Sequence, residues 1–301
     1  MDTGPGAPMT STRAGTDLIL SEGAELGGIG TRRLSVEGGG TPLLLIHGFA
    51  DSADTWAPLM GELAEAGRAA TAIDLAGFGA SEAPRRDGGL LPQWDAMVAE
   101  AIAELSEAHG SPVYVAGNSL GGCLAMRAAE SDALPVAGIV PIAPAGLDMA
   151  RWFGAIEGER LLKLLQLSPV PIPEIIVREV VGRVYSNLAF SSPARASAEA
   201  VSSFTSHIAS VDRGQEILAT GRRLLPELRS PFRLDRISCP LLLIWGERDR
   251  MVFTTGVERV LRTVPYSDVE IIPGCGHCPQ VEVPEQLAQM LLDFPHAYEH
   301  P

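Results

Sequence analysis

Three short stretches hold side chains that could work together on an acyl group. In "VYVAGNSLGGCLAMRAAE", Gly117-Asn118-Ser119-Leu120-Gly121 fits G-x-S-x-G, set between an apolar run and a helical-period run. A serine in so sharp a strand-to-helix turn needs the positions two before and two after it to be nearly free of side chain. Amides at the start of the following helix then lie beside it, where they can stabilise an oxyanion. A serine hydroxyl is a weak nucleophile and needs a base, itself oriented by an acid. "PLLLIWGERDRMV" offers Asp249 and "VEIIPGCGHCPQ" offers His277, each just after an apolar run. Ser119, Asp249 and His277, in that order and each at a strand end, form the candidate catalytic set.

The last stretch also carries a competing chemistry. Cys275-Gly276-His277-Cys278 has the C-x-x-C spacing of thiol–disulfide exchange. A redox pair works with its first thiol at a helix N-terminus, early in a βαβ unit. Here the pair follows the final strand. A zinc site needs four ligands at suitable spacing, whereas Cys275, His277 and Cys278 crowd one turn, and Cys123 and Cys239 belong to a helix and a strand start. The histidine is therefore read as the chemistry, and the cysteines as small, partly buried neighbours. Neither a metal nor a cofactor is expected. His109, His207, His296 and His300 have no motif around them and are read as structural or surface residues.

These side chains need a frame. Short apolar runs alternate with helical-period segments, the pattern of an α/β protein whose mostly parallel central sheet is covered by helices on both faces. Strands are expected at 42–48, 69–74, 112–117, 136–143, 240–246 and 269–274, with an antiparallel start within 16–22 and 31–38. Helices are expected near 56–66, 93–109, 120–131, 254–263 and 284–294. From 146 to 233 no strand is evident, only amphipathic helical stretches separated by Pro-rich turns. The expected organisation is a polar tail at 1–15, a core formed by 16–145 and 234–301, and an all-helical lid at 146–233, between the sixth and seventh strands. Lid side chains such as Trp152, Phe153, Leu165, Ile175 and Ile176 could wall an apolar pocket.

Composition narrows the partners. Lys plus Arg is 23 against Asp plus Glu at 37, a net charge of −14 that disfavours nucleic acid or an anionic membrane. No apolar run approaches the ~20 residues of a membrane span. The start has an acid at position 2 and no apolar core, so it does not read as a signal peptide. Four scattered cysteines are too few for a disulfide scaffold, and a reducing cytoplasm is the expected compartment.

With the three motifs in place, the chain from about 17 to 295 resembles the α/β-hydrolase-fold family. "LLLIHGF" (43–49) is similar to that family's His-Gly oxyanion loop, and "DLAGFGASEAP" (74–84) to its turn after the fourth strand. The resemblance implies an oxyanion hole from the backbone N–H groups of Phe49 and Leu120. It makes His47 a loop-steering residue and Asp74 and Ser81 turn-fixing ones. Asp148, after the sixth strand, stands where some relatives keep the acid, second to Asp249. The implied activity is hydrolysis of an apolar carboxylic ester through an acyl-enzyme. The alternatives are a carbon–carbon bond hydrolase of ring-cleavage products, a cofactor-free perhydrolase, and a receptor or scaffold without turnover. "GNSLGG" resembles the elbow of the carbon–carbon group, but "HGFADS" lacks its extra oxyanion-loop glycines.

Overall fold

A computed structural model describes residues 18–149, 174–206 and 210–294. Within them lie the strands β1 (Leu20–Leu26), β2 (Ile29–Val36), β3 (Gly39–Ile46), β4 (Arg68–Ile73), β5 (Val113–Asn118), β6 (Val136–Ile142), β7 (Leu241–Gly246) and β8 (Ser267–Ile272). They form one sheet in the order β1-β2-β4-β3-β5-β6-β7-β8. β2 pairs antiparallel with both β1 and β4, and the pairings from β4 to β8 are parallel.

Successive strand side chains point to opposite faces. In β3, Leu43 and Leu45 join one core layer while Leu44 and Ile46 join the other. Because both faces are covered, the central strands are apolar throughout rather than alternating. Helices α1 (Ala57–Glu65) and α9 (Pro284–Asp293) cover one face through Leu59, Leu63, Leu287 and Leu291. Helices α2 (Leu90–His109), α3 (Leu120–Ala128) and α7 (Val257–Thr263) cover the other through Trp94, Met97, Leu124 and Val260.

Several elements depart from the expected bounds, and two of the departures have a clear physical reason. β1 runs to Leu26 rather than ending near residue 22, because it is an edge strand with mostly exposed side chains and so carries little apolar signal. It is fixed by a two-residue hairpin, Gly27-Gly28, with φ of 62° and 70°, as a type I′ turn requires. Helix α2 begins at Leu90, not 93. Pro92 falls in its first turn, where the missing N–H costs no intrahelical bond.

Between β6 and β7 the described residues form α4 (Glu174–Ala189), α5 (Ala198–Ser206), α6 (Val211–Leu224) and short 3₁₀ turns. Outside them, Met149 makes one isolated bridge to Val252. The expected N-terminal tail, together with Trp152, Phe153, Leu165, His207, His296 and His300, lies outside the described residues. The α6 region is fastened to the core. Arg213 donates to Gly77 O at 2.6 Å, and the Glu227 carboxylate accepts the amides of Leu90 and Leu91 at 2.8 and 2.9 Å. Glu227 thereby caps α2, whose own N-cap is Gly89 and has no side chain to do so. Among the described residues no helix is long and apolar enough to cross a membrane.

Candidate active site

Ser119 sits at the tip of β5 with φ 54° and ψ −109°, a backbone conformation a serine adopts only when its surroundings enforce it. The enforcement is visible. Its amide donates to Ile142 O at 2.8 Å, and its carbonyl accepts from Ala145 N at 2.9 Å. The glycines two residues away on either side are there for space. A Cβ on Gly117 would lie 2.2 Å from Gly121 C, and one on Gly121 would lie 1.9 Å from Ile46 O. The steric requirement read from G-x-S-x-G is thus met by contact between β3, β5 and the start of α3.

His277 and Asp249 meet at the ends of β8 and β7. His277 Nδ1 lies 2.6 Å from Asp249 Oδ2, with both side chains almost fully buried. The carboxylate is itself held, since Oδ1 accepts the amides of Met251 and Val252 at 2.7 and 3.1 Å. An ionised carboxylate only accepts, so Nδ1 carries the proton, and in the neutral imidazole Nε2 keeps its lone pair. Nε2 is buried and has no hydrogen-bond partner among the described residues. Asp148 goes elsewhere: its carboxylate accepts the Thr255 hydroxyl. The acid on the histidine is Asp249.

The third component is the loop after β3. His47 Nε2 accepts the Leu75 amide at 2.9 Å, which leaves Nδ1 as the donor to Gly48 O at 2.7 Å. His47 therefore steers this loop. A Cβ on Gly48 would stand 3.5 Å from Ser119 Cβ, so the loop lies directly against the elbow. The amides of Phe49 and Leu120 donate to no other described residue. Behind the loop, Asp74 accepts the amides of Ala53 and Ala80 and the Arg32 guanidinium, which also grips Asp54. Burial pushes the Asp74 carboxyl up, but Arg32, nearby His47 and the two amides outweigh it and hold it below the ordinary range. Ser81 donates to Gly30 O. Both residues fix turns, as the sequence suggested.

Burial around the cysteines opposes thiolate formation. All four are free, and Cys275 and Cys278 are fully buried rather than partly so. Burial pushes the Cys275 thiol up to about 12 and that of Cys278 well above its ordinary value. Neither is a ready thiolate for exchange chemistry in this environment.

Beside Ser119 lies an apolar cavity of about 40 Å³, walled by Phe49, Met149, Leu224, Leu225 and Leu228. Ile175 was an expected wall residue, but it is 71% exposed and faces solvent near the start of α4. Among the described residues, the end of α6 and the turn after it contribute Leu224, Leu225 and Leu228 to the wall. A larger groove of about 720 Å³ lies between α2, α3 and the 233–236 turn, where Arg127 pairs with Asp95 and Glu130 accepts the Arg233 amide. Its lining contains none of the three candidate catalytic residues, so size does not mark the site.

Some functional neighbours escaped the sequence reading. Asn118 Nδ2 donates to His277 O at 2.8 Å, tying the elbow to the histidine turn. Gln280, fully buried, reaches Thr55 and Asn118. Asp51, in the loop after β3, is buried beside Ser52 and Thr55. A polar residue at a strand tip was the only signal available for Asn118.

A mostly parallel sheet, a strained serine at its fifth strand and a buried histidine–carboxylate pair at the last two define an α/β-hydrolase architecture. The chain belongs to the alpha/beta hydrolase family, whose sequence profile matches residues 43–290. It is 29% identical over 278 residues to the dihydrolipoyllysine-residue acetyltransferase component of an acetoin cleaving system from Pseudomonas putida, covering 90% of this chain and 68% of that one. Over 84 residues it is 36% identical to a 2-hydroxy-6-oxononadienedioate/2-hydroxy-6-oxononatrienedioate hydrolase of Pseudomonas putida, 28% of this chain and 29% of the relative. Among solved structures, a membrane phospholipase A described as a bacterial virulence factor aligns with a TM-score of 0.76 and 25% identity, over 95% of this chain and 89% of that one.

Proposed function

We propose that this protein is a serine hydrolase that cleaves a carboxylic ester through an acyl-enzyme. The reading rests chiefly on the 2.6 Å Asp249–His277 contact, which leaves the buried Nε2 free to take a proton. Ser119 Oγ attacks the substrate carbonyl and passes its proton to His277 Nε2, while Asp249 stabilises the imidazolium through Nδ1–H. The tetrahedral oxyanion is held by the amides of Phe49 and Leu120. Collapse expels the alcohol, protonated by His277, and leaves Ser119 acylated. Water activated by the same imidazole then releases the acid. No protein group changes oxidation state, and each proton taken by His277 is returned.

The apolar cavity receives the acyl side of the substrate, and the insertion between β6 and β7 acts as the lid that walls it. Carbon–carbon bond hydrolysis is the second reading, favoured by the partial match to the dienedioate hydrolase. A dienedioate carries carboxylates that call for cationic partners. The described cavity wall beside Ser119 is apolar, which favours the ester. The test is a series of p-nitrophenyl esters assayed beside a vinylogous diketone, with wild type and Ser119→Ala. Ester turnover lost in the folded Ser119→Ala protein is the expected result. Near-normal hydrolysis by that variant would sink the serine reading, and exclusive cleavage of the diketone would sink the ester reading.

A further inference from the structure

The turn that carries His277 is gripped by more than the triad. Its own amide donates at 2.7 Å to Ala189 O, the last carbonyl of α4. The amide one residue earlier, Gly276 N, donates to Glu282 Oε1 at 2.7 Å. Glu282 belongs to α8 (Pro279–Glu282), so its side chain reaches back over the turn it follows. The same Oε1 accepts the Ser191 amide at 3.1 Å, and Oε2 accepts the Ser191 hydroxyl. Ser191 lies two residues beyond α4 and is buried. One carboxylate thus joins the histidine turn to the helical segment inserted between β6 and β7.

The fit around this carboxylate is close. A Cβ on Gly276 would stand 2.5 Å from Ser191 N and 2.6 Å from Phe190 C, so the two backbones touch with no room for a side chain. Neighbouring contacts reinforce the seam: Arg250 donates to Asn187 O at 2.8 Å, one residue from the Asp249 that holds the imidazole.

We infer that Glu282 is a positioning residue for His277, registering the α4 end of the helical insertion against the catalytic turn so that the imidazole is aimed while that end is seated. The inference rests on the reading of His277 as the base. It assigns Glu282 no contact with substrate. Removing the carboxylate leaves two inward-facing amides, Gly276 and Ser191, without their acceptor, and such groups are costly to leave unpaired. The turn relaxes to satisfy them. A displacement of ~1 Å in a catalytic group is worth on the order of 100-fold in rate. A glutamine restores the arrangement, because its carbonyl oxygen accepts both amides and its NH₂ can donate to the Ser191 hydroxyl.

The experiment compares Glu282→Ala, Glu282→Asp and Glu282→Gln with wild type by ester kinetics and by proton NMR of the His277 Nδ1–H, assigned with His277→Ala. Circular dichroism and melting set an assay temperature at which each variant is folded. For Glu282→Ala the expected loss in kcat is about 10- to 100-fold, with KM within about threefold, and the downfield Nδ1–H signal should broaden or vanish. Glu282→Asp, a milder change with a carboxylate too short for both amides, should move in the same direction even if the alanine variant does not fold. Glu282→Gln should stay within about threefold of wild type and keep the signal. A folded Glu282→Asp or Glu282→Ala protein with unchanged kcat and an unchanged signal would overturn the inference, as would a glutamine variant as impaired as the alanine one. A wild type inert toward esters would instead remove the hydrolase reading, leaving the imidazole signal to judge this one.

Discussion

Asp51 offers a stability measurement whose size follows from its burial. The carboxyl lies in the loop between β3 and α1, 6% exposed. Burial pushes it up to about 7 from an ordinary 3.8, assisted by nearby Asp54 and Asp74 and opposed by the Ser52 amide and the Thr55 hydroxyl. Tyr185 and Cys278 also face it, and both are pushed up by burial, so they stay neutral through the range that matters. The unfolded chain loses this proton near pH 4 while the folded protein keeps it to about pH 7. Between those values the folded state binds more protons, so stability falls as pH rises and levels off above about 7. At ~1.4 kcal/mol per pH unit the interval is worth on the order of 4 kcal/mol. Asp51→Asn keeps the shape and an acceptor for the Ser52 amide but cannot ionise. The assay is urea unfolding of both proteins from pH 4.5 to 8.5, taking the difference so that all other titrations cancel. The variant should gain on wild type as pH rises, by roughly 2–4 kcal/mol across the range, with the gain flat above pH ~7.5. A difference independent of pH would mean that Asp51 titrates as an ordinary carboxylate and that its burial is not felt.

Other perturbations address the site directly. Asp249→Asn should lower kcat by several orders of magnitude but less than Ser119→Ala, because some orientation of His277 survives; equal losses in steady-state kinetics would contradict this. Replacing Cys275 and Cys278 together by Ala should leave kcat within about tenfold, and neither dithiothreitol nor EDTA should alter ester hydrolysis. A folded double variant as inactive as Ser119→Ala would return the thiols to the mechanism. Leu224→Ala enlarges the wall of the 40 Å³ cavity beside Ser119, so the preferred acyl length in the ester series should rise by about two carbons; an unchanged profile would place the acyl chain elsewhere.

Much of the frame was legible because burial on both faces leaves strands such as "LLLI" and "LLLIW" apolar throughout, and these set the ends at which Ser119, Asp249 and His277 stand. Their chain order then made the set readable before any geometry. β1 was misplaced for the converse reason: an exposed edge strand with Ser, Glu and Gly has no apolar rhythm, and backbone pairing with β2 alone defines it. Asn118 and Glu282 escaped because their meaning depends on partners 159 and 91 residues away, His277 O and Ser191. Nothing in either residue's local spacing carries that information. Ile175, one of several lid residues whose hydrophobicity suits a pocket wall, lies in solvent, while Leu224 and Leu228 line the described cavity. Helical periodicity shows that a face is apolar but not what it faces.

The central claim is that Ser119 is a nucleophile activated by His277. Labelling with a fluorophosphonate followed by peptide mass spectrometry tests it without knowledge of the substrate. The account predicts one adduct per chain, on Ser119, absent in Ser119→Ala and slowed by at least about 100-fold in His277→Ala. Labelling at another residue, or a folded wild type that resists the probe, would contradict it.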